Sequence, residues 1–143
     1  ISQFTRELLQ GRPPTLYGDG RQSRDFTYVD NVVIANLRAL VAQGLRGQTA
    51  NVAAGGRVSL RELLRALGRL TGQAGRAQRR PARPGDVRHS QADIRLAYRL
   101  LGYRPQVDFE EGLRRTVAWY AGQLESRAAT RRRRAARQAV AAA

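Results

Sequence analysis

The sequence predicts an α/β fold, and three observations carry that prediction. Ser59 with Glu62, Ser90 with Asp93 and Asp108 with Glu111 each place a short polar side chain three residues before an acid. That spacing satisfies the free amides at the start of a helix. Leu60, Leu63, Leu64, Leu67 and Leu70 recur at helical spacing, while short β-branched or aromatic runs bounded by Gly and Pro lie between the helical segments. Helices alternating with short strands are the signature of the class.

Taken in order, the opening segment "ISQFTRELLQG" reads as a helix stopped at Gly11, followed by a strand around Leu16–Tyr17. A second strand is expected over Asp25–Val29, with Phe26, Tyr28 and Val29 pointing inward or packing at an edge. A helix follows from Asp30 to Gln43, its inner face formed by Val33, Leu37, Leu40 and Val41. A strand over Thr49–Ala53 precedes the Ser59 helix, which Gly72 ends and which Val58 and Leu63 are spaced to staple. A short strand near Ala77–Arg80 comes next. The last two helices open at Ser90, ending at Gly102, and at Asp108, with Pro105 between them.

The chain has 143 residues, enough for one ordinary domain with a single core. No apolar run approaches the roughly 18–20 residues of a membrane span. The first residues have neither an initiator Met nor the order of a signal peptide, and read as the middle of a longer chain. There is no cysteine and one histidine, His89, so disulfides, cysteine metal sites and multi-histidine metal sites are excluded. A reducing, cytoplasmic setting fits that composition.

The formal charge is +15, all 26 basic residues are Arg, and Ala is abundant. A GC-rich coding bias gives that composition without selection for a polyanion, and most of the excess is scattered over helix faces, so specific nucleic-acid binding by the body is disfavoured. The segment "ESRAATRRRRAARQAVAAA" differs, with six arginines against one acid. Its Ala and Arg favour helix. Residues 121–143 therefore form an Arg/Ala-rich tail, either a helical extension or disordered, able to touch anionic surfaces.

The loops "GDGRQS", "AAGGR" and "RPARPGDVRHS" carry the candidate chemistry. The chain holds no G-x-G-x-x-G, P-loop, Y-x-x-x-K, G-x-S-x-G or H-E-x-x-H, so it contains no complete catalytic set. Arg24, within "LYGDGRQSRDFTYVDN", either pairs with Asp25 or Asp30 in a surface turn or is aimed at an anionic ligand. His89, in a loop before a helix, reads as structural, and Asn51 as a strand-end residue satisfying nearby backbone.

The segments "YGDGRQSRDFTYVDNVVIANLRAL", "NVAAGGRVSLRELLRAL", "RPGDVRHSQADIRLAYRLLGYRP" and "FEEGLRRTVAWY", in this order and at fitting intervals, resemble the carboxy-terminal part of NAD-dependent nucleotide-sugar epimerases/dehydratases. These are extended short-chain dehydrogenase/reductases. The likeness covers about residues 1–120 and is greatest to UDP-N-acetylglucosamine and UDP-glucose 4-epimerases. It implies a carboxy-terminal substrate-binding subdomain of short strands with about five helices, the Rossmann half being absent. With that half would go the NAD loop, the catalytic Tyr-x-x-x-Lys and the helices of dimerisation, leaving a chain inactive alone. NAD is thus implied for the full-length enzyme, and the partners implied are a UDP-sugar and the missing half or a second subunit.

The resemblance further implies that Arg24 and Arg83 grip the pyrophosphate, that Asp86 accepts hydrogen bonds from the ribose hydroxyls, and that the backbone near Leu16–Tyr17 meets uracil. A planar guanidinium matches paired phosphate oxygens, and a carboxylate matches a vicinal diol. Ser90 stands where epimerases confined to UDP-glucose/galactose hold a bulky tyrosine, so it would leave room for an acetamido group, besides capping a helix with Asp93. The alternatives are a dehydratase or decarboxylase built on the same half, or a non-catalytic binding module whose Arg tail meets a polyanion.

Overall fold

The computed structural model describes residues 1–74 and 76–141. Five helices and four short strands follow in the order α1 (Ser2–Leu9), β1 (Thr15–Tyr17), β2 (Ser23–Arg24), α2 (Val29–Val41), β3 (Val58–Ser59), α3 (Leu60–Thr71), β4 (Gln78–Arg80), α4 (Arg95–Leu101) and α5 (Phe109–Ala141). β1 pairs in parallel with β4, Leu16 opposite Arg79 and Tyr17 opposite Arg80. β2 pairs antiparallel with β3, and Ser23 also bridges His89 in parallel.

α3 forms as its sequence dictates. The Ser59 hydroxyl accepts from the Glu62 amide, the Glu62 carboxylate accepts from the Ser59 amide at 2.7 Å, and Gly72 closes the helix at φ 68°. Leu63 and Leu67 are 0% exposed and pack with Leu8 of α1 and Leu113 and Val117 of α5. A smaller cluster joins Ala35 of α2 to Ala97 of α4 and to buried Tyr103, whose hydroxyl donates to the Ala53 carbonyl at 2.8 Å. Burial, and then the Asp25 charge, push the Tyr103 phenol above its ordinary pKa. Buried Asn31 fastens α2 to the lead-in of α5: its Nδ2 donates to Val107 O at 2.7 Å and its Oδ1 accepts from the Gln106 and Val107 amides.

Several expectations are corrected. The proposed inner face of α2 points outward: Val33, Leu37, Leu40 and Val41 are 48%, 57%, 81% and 73% exposed, and Val29 is exposed too. Small Ala35 and polar Asn31, four apart, face the interior instead, because close packing against Ala97 and an amide bridge to residues 106–107 decide the buried side. The second strand is Ser23–Arg24 rather than Asp25–Val29. Residue 25 leaves the ladder because its carboxylate accepts from the backbone amides of Ala54, Gly55 and Ala92. Thr49–Ala53 is not a strand, since no described segment pairs with it.

Ser90 does not cap a helix. Its amide donates to Ser23 O at 3.1 Å, and α4 begins only at Arg95. Asp93 accepts from the Arg95 amide at 2.9 Å, and hydrogen bonds from the Arg95 side chain and backbone hold its carboxyl down at about 2. Asp108 does cap α5, accepting from the Glu111 amide at 2.9 Å. α5 runs on through the basic segment as one helix to Ala141. Gly112 lets it approach the chain at Tyr28, where an added Cβ would lie 2.8 Å from the Tyr28 Cβ. Among the described residues no helix is long and apolar enough to cross a membrane.

Candidate functional site

The site is built where β1 and β4 end and the following loops fold back. Within "RPGD", the Asp86 amide donates to the Arg83 carbonyl at 3.2 Å and Gly85 sits at φ 76°. Pro followed by a glycine of positive φ is the signature of a type II turn. The turn directs Arg83 and Asp86 from its two ends. Arg83 lays its guanidinium over the Tyr17 ring, 3.8 Å from the centroid. Asp86 pairs with Arg24 at 2.5 Å.

The loop carrying Arg83 and Asp86 is tied to β2. Ser23 N donates to Arg88 O, Ser90 N donates to Ser23 O, and the Ser23 hydroxyl lies 2.9 Å from His89 Nδ1. Arg24 also donates to its neighbour's carbonyl, Ser23 O, at 2.8 Å. The resulting hollow, about 190 Å³, is lined by Gly18, Asp19, Gln22, Arg83, Asp86 and Arg88 among others. Gln22 Nε2 donates to Tyr17 O at 2.6 Å, and Asp19 approaches Arg88 at 3.5 Å. The Arg21 amide, followed by the guanidiniums of Arg88, Arg21 and Arg61, holds the Asp19 carboxyl below its ordinary range.

Of the residues singled out in the sequence, Tyr17, Arg24, Arg83 and Asp86 meet here. Arg24 pairs with neither Asp25 nor Asp30: Asp25 is occupied by backbone amides, and Asp30 meets Arg115 at 3.0 Å. Leu16 is buried, with its backbone in register with Arg79. Ser90 lies one residue beyond His89 on the loop tied to β2, exposed, its side chain without a hydrogen bond among the described residues. Sequence reasoning passed over Asp19, Gln22 and Arg88. The GDG turn beside Tyr17 is the one signal that could have found the first two, while Arg88 carries none.

The hollow is small for a nucleotide sugar, since small-molecule pockets span roughly 300–1,000 Å³. An anionic ligand would displace Asp86 from Arg24. Both side chains are partly exposed, and such a pair contributes only about 0–1 kcal/mol, whereas a hydrogen bond to a charged group contributes about 1.5–3 kcal/mol.

No strand, glycine-rich turn and helix form a dinucleotide cradle among the described residues, whose sheets are two-stranded. NAD thus has no fitting site in the described part of this chain. No group of His, Cys, Asp or Glu there could hold a metal ion.

The family profile for GDP-mannose 4,6 dehydratase matches residues 1–116. The chain is 38% identical over 120 residues to the UDP-glucose 4-epimerase of Mycolicibacterium smegmatis, covering 84% of this chain and 38% of that protein. Among solved structures, it matches the UDP-glucose 4-epimerase of Thermotoga maritima with UDP-glucose, at a TM-score of 0.80 and 36% identity over 85% of this chain and 38% of the other. It also matches the UDP-glucuronic acid 4-epimerase of Bacillus cereus in complex with UDP-glucuronic acid and NAD, at a TM-score of 0.79 and 29% identity over 85% of this chain and 39% of the other. The chain thus spans well under half the length of these relatives. It belongs to the GDP-mannose 4,6 dehydratase family of NAD-dependent nucleotide-sugar epimerases and dehydratases, and corresponds to the carboxy-terminal part of such an enzyme.

Proposed function

We propose that this chain is the UDP-sugar-binding portion of an NAD-dependent 4-epimerase acting on UDP-N-acetylglucosamine or UDP-glucose, in a cytoplasmic setting. The observation that carries the reading is the type II turn that places Arg83 and Asp86 in one hollow, with Arg24 paired to Asp86 and the Tyr17 ring beneath Arg83. Arg24 and Arg83 take the diphosphate, Asp86 turns from Arg24 to the ribose diol, and uracil meets the backbone at Leu16–Tyr17. The binding subdomain occupies residues 1–120, and residues 121–143 are an appended tail.

The Rossmann half of such an enzyme supplies NAD and the tyrosine–lysine chemistry, so the chain alone is inactive. We further propose that this half covers the exposed apolar face of α2, where Leu37, Leu40 and Val41 lie. Ser90 leaves room for an N-acetyl group on the sugar.

Titration of the 143-residue chain with UDP, followed by amide chemical shifts, tests the site. Saturable shifts at Tyr17, Arg83 and Asp86 that vanish in Arg24→Ala are expected, and undiminished binding by that variant would overturn the assignment. A dehydratase or decarboxylase on the same half is the second reading, its dehydratase form favoured by the description of the matching family profile. Turnover assays on a protein containing both halves, comparing 4-epimers with 4-keto products, separate the two. A non-catalytic module with a polyanion-binding tail would instead shift nucleic acid in a gel, and the shift would disappear on deletion of residues 127–143.

A further inference from the structure

We propose that the cleft between α3 and β4 is a second anion site, distinct from the nucleotide hollow, which takes a compact multivalent phosphate. The cleft measures about 700 Å³, within the range of small-molecule sites. Arg61 and Arg65, four apart on α3, form one wall, and Arg76 and Arg79 the other, over a floor that includes Leu16 and Leu64. Strand alternation separates it from the nucleotide hollow: Leu16 and its partner Arg79 face this cleft, whereas the ring of Tyr17 carries Arg83 at the other site.

Among the described residues, Arg65, Arg76 and Arg79 make no side-chain hydrogen bond or ion pair. Arg61 is held in place by donating from Nε to the Asp19 carbonyl at 2.7 Å. Among the described residues, no carboxylate lines the cleft. Glu62, next to Arg61 on α3, bonds to the Ser59 cap, and Asp19 to Arg88 and the Arg21 amide, so that Arg65 and Arg61 feel these carboxylates only as neighbouring charges without a direct ion pair. An arginine-rich composition accounts for many guanidiniums, but not for four converging on one concavity while adjacent acids turn elsewhere. Four like charges repel unless something of opposite sign bridges them, and guanidinium forks match phosphate oxygens in pairs. The proposal stands independently of the nucleotide-sugar reading.

Calorimetric titration of the 143-residue chain with sodium tripolyphosphate at about 0.15 M salt, where diffuse surface attraction is screened, tests it. Saturable binding that persists in the Arg24→Ala variant, in which the nucleotide hollow is disabled, is expected. Removing two charge-assisted contacts in Arg65→Gln/Arg79→Gln should weaken binding by about tenfold or more. The equally charge-depleted tail variant Arg131→Gln/Arg132→Gln should change it by less than about twofold. Should the double variant fail to fold, Arg76→Gln, in an irregular segment, should still weaken binding about threefold. Equal weakening by the tail variant, loss confined to Arg24→Ala, or no saturable binding by the unmodified chain would each overturn the proposal.

Discussion

α3 and α2 both carry apolar side chains at helical spacing, one as a narrow stripe and the other spread over most of its surface, and they meet opposite fates. α3 buries Leu63 and Leu67 between α1 and α5, capped at both ends, whereas α2 leaves Leu37, Leu40 and Val41 in solvent and buries an asparagine and an alanine. Helical periodicity identifies an apolar face; whether the same chain covers it depends on partners that periodicity does not encode. α3 is covered within the chain, and α2 leaves an exposed apolar face, the one we propose the Rossmann half covers.

The contrast can be broken by truncating each face. Leu67→Ala should destabilise the chain by about 2–5 kcal/mol in urea unfolding, as expected for a cavity in a packed core. Leu40→Ala should change stability by less than about 0.5 kcal/mol. An equal cost for the two would mean that α2 is covered already. In a protein that also contains the Rossmann half, the Leu40→Ala cost should rise, which sharpens the contrast.

Next in size is Asn31→Ala, which removes the polar tie of α2 to residues 106–107. It leaves the Gln106 and Val107 amides and the Val107 carbonyl unpaired, so a loss of about 1–3 kcal/mol is expected by the same unfolding assay. Ser59→Ala, which dismantles the α3 capping box, should cost about 1 kcal/mol.

The smallest effect is electrostatic. Hydrogen bonds from Arg114 and then Arg115 hold the Glu111 carboxyl at about 2, against an ordinary 4.5. A depressed carboxylate stabilises the fold fully above its unfolded pKa and loses that contribution as pH falls through the folded value. The apparent stability of the unmodified chain should therefore decline between about pH 4.5 and 2, and Glu111→Gln should flatten that part of a thermal-melt profile. An unchanged profile would show that the exposed pair contributes nothing measurable.

Much of the fold was legible because local chemistry decides it. Ser59 with Glu62, Asp108 with Glu111, and Gly72 and Gly102 are read from residues a few positions apart, and the structure uses all of them as caps or stops. The failures involve distant partners. Asp25 leaves its strand for amides 29, 30 and 67 residues away, and Ser90 gives its amide to Ser23 instead of opening a helix. At the candidate site, the RPGD turn was legible from Pro84 and Gly85, but the pairing of Arg24 with Asp86 was not, because 62 residues separate them. Arg88 went unseen for the same reason, whereas Asp19 stood in a GDG turn whose local signal was passed over.

The long reach of α5 has a consequence for how the molecule responds to its medium. Its buried contacts cease at about Val117, and the segment 121–141 extends about 30 Å further at the usual helical rise. There Arg127 and Arg131, and Arg133 and Arg137, repel across single turns. With little but its own backbone ladder to oppose that strain, this segment should tighten as dissolved ions shield the charges and loosen as they are diluted. Helical ellipticity from the outer half of α5 should therefore climb with salt while the rest of the molecule stays unchanged.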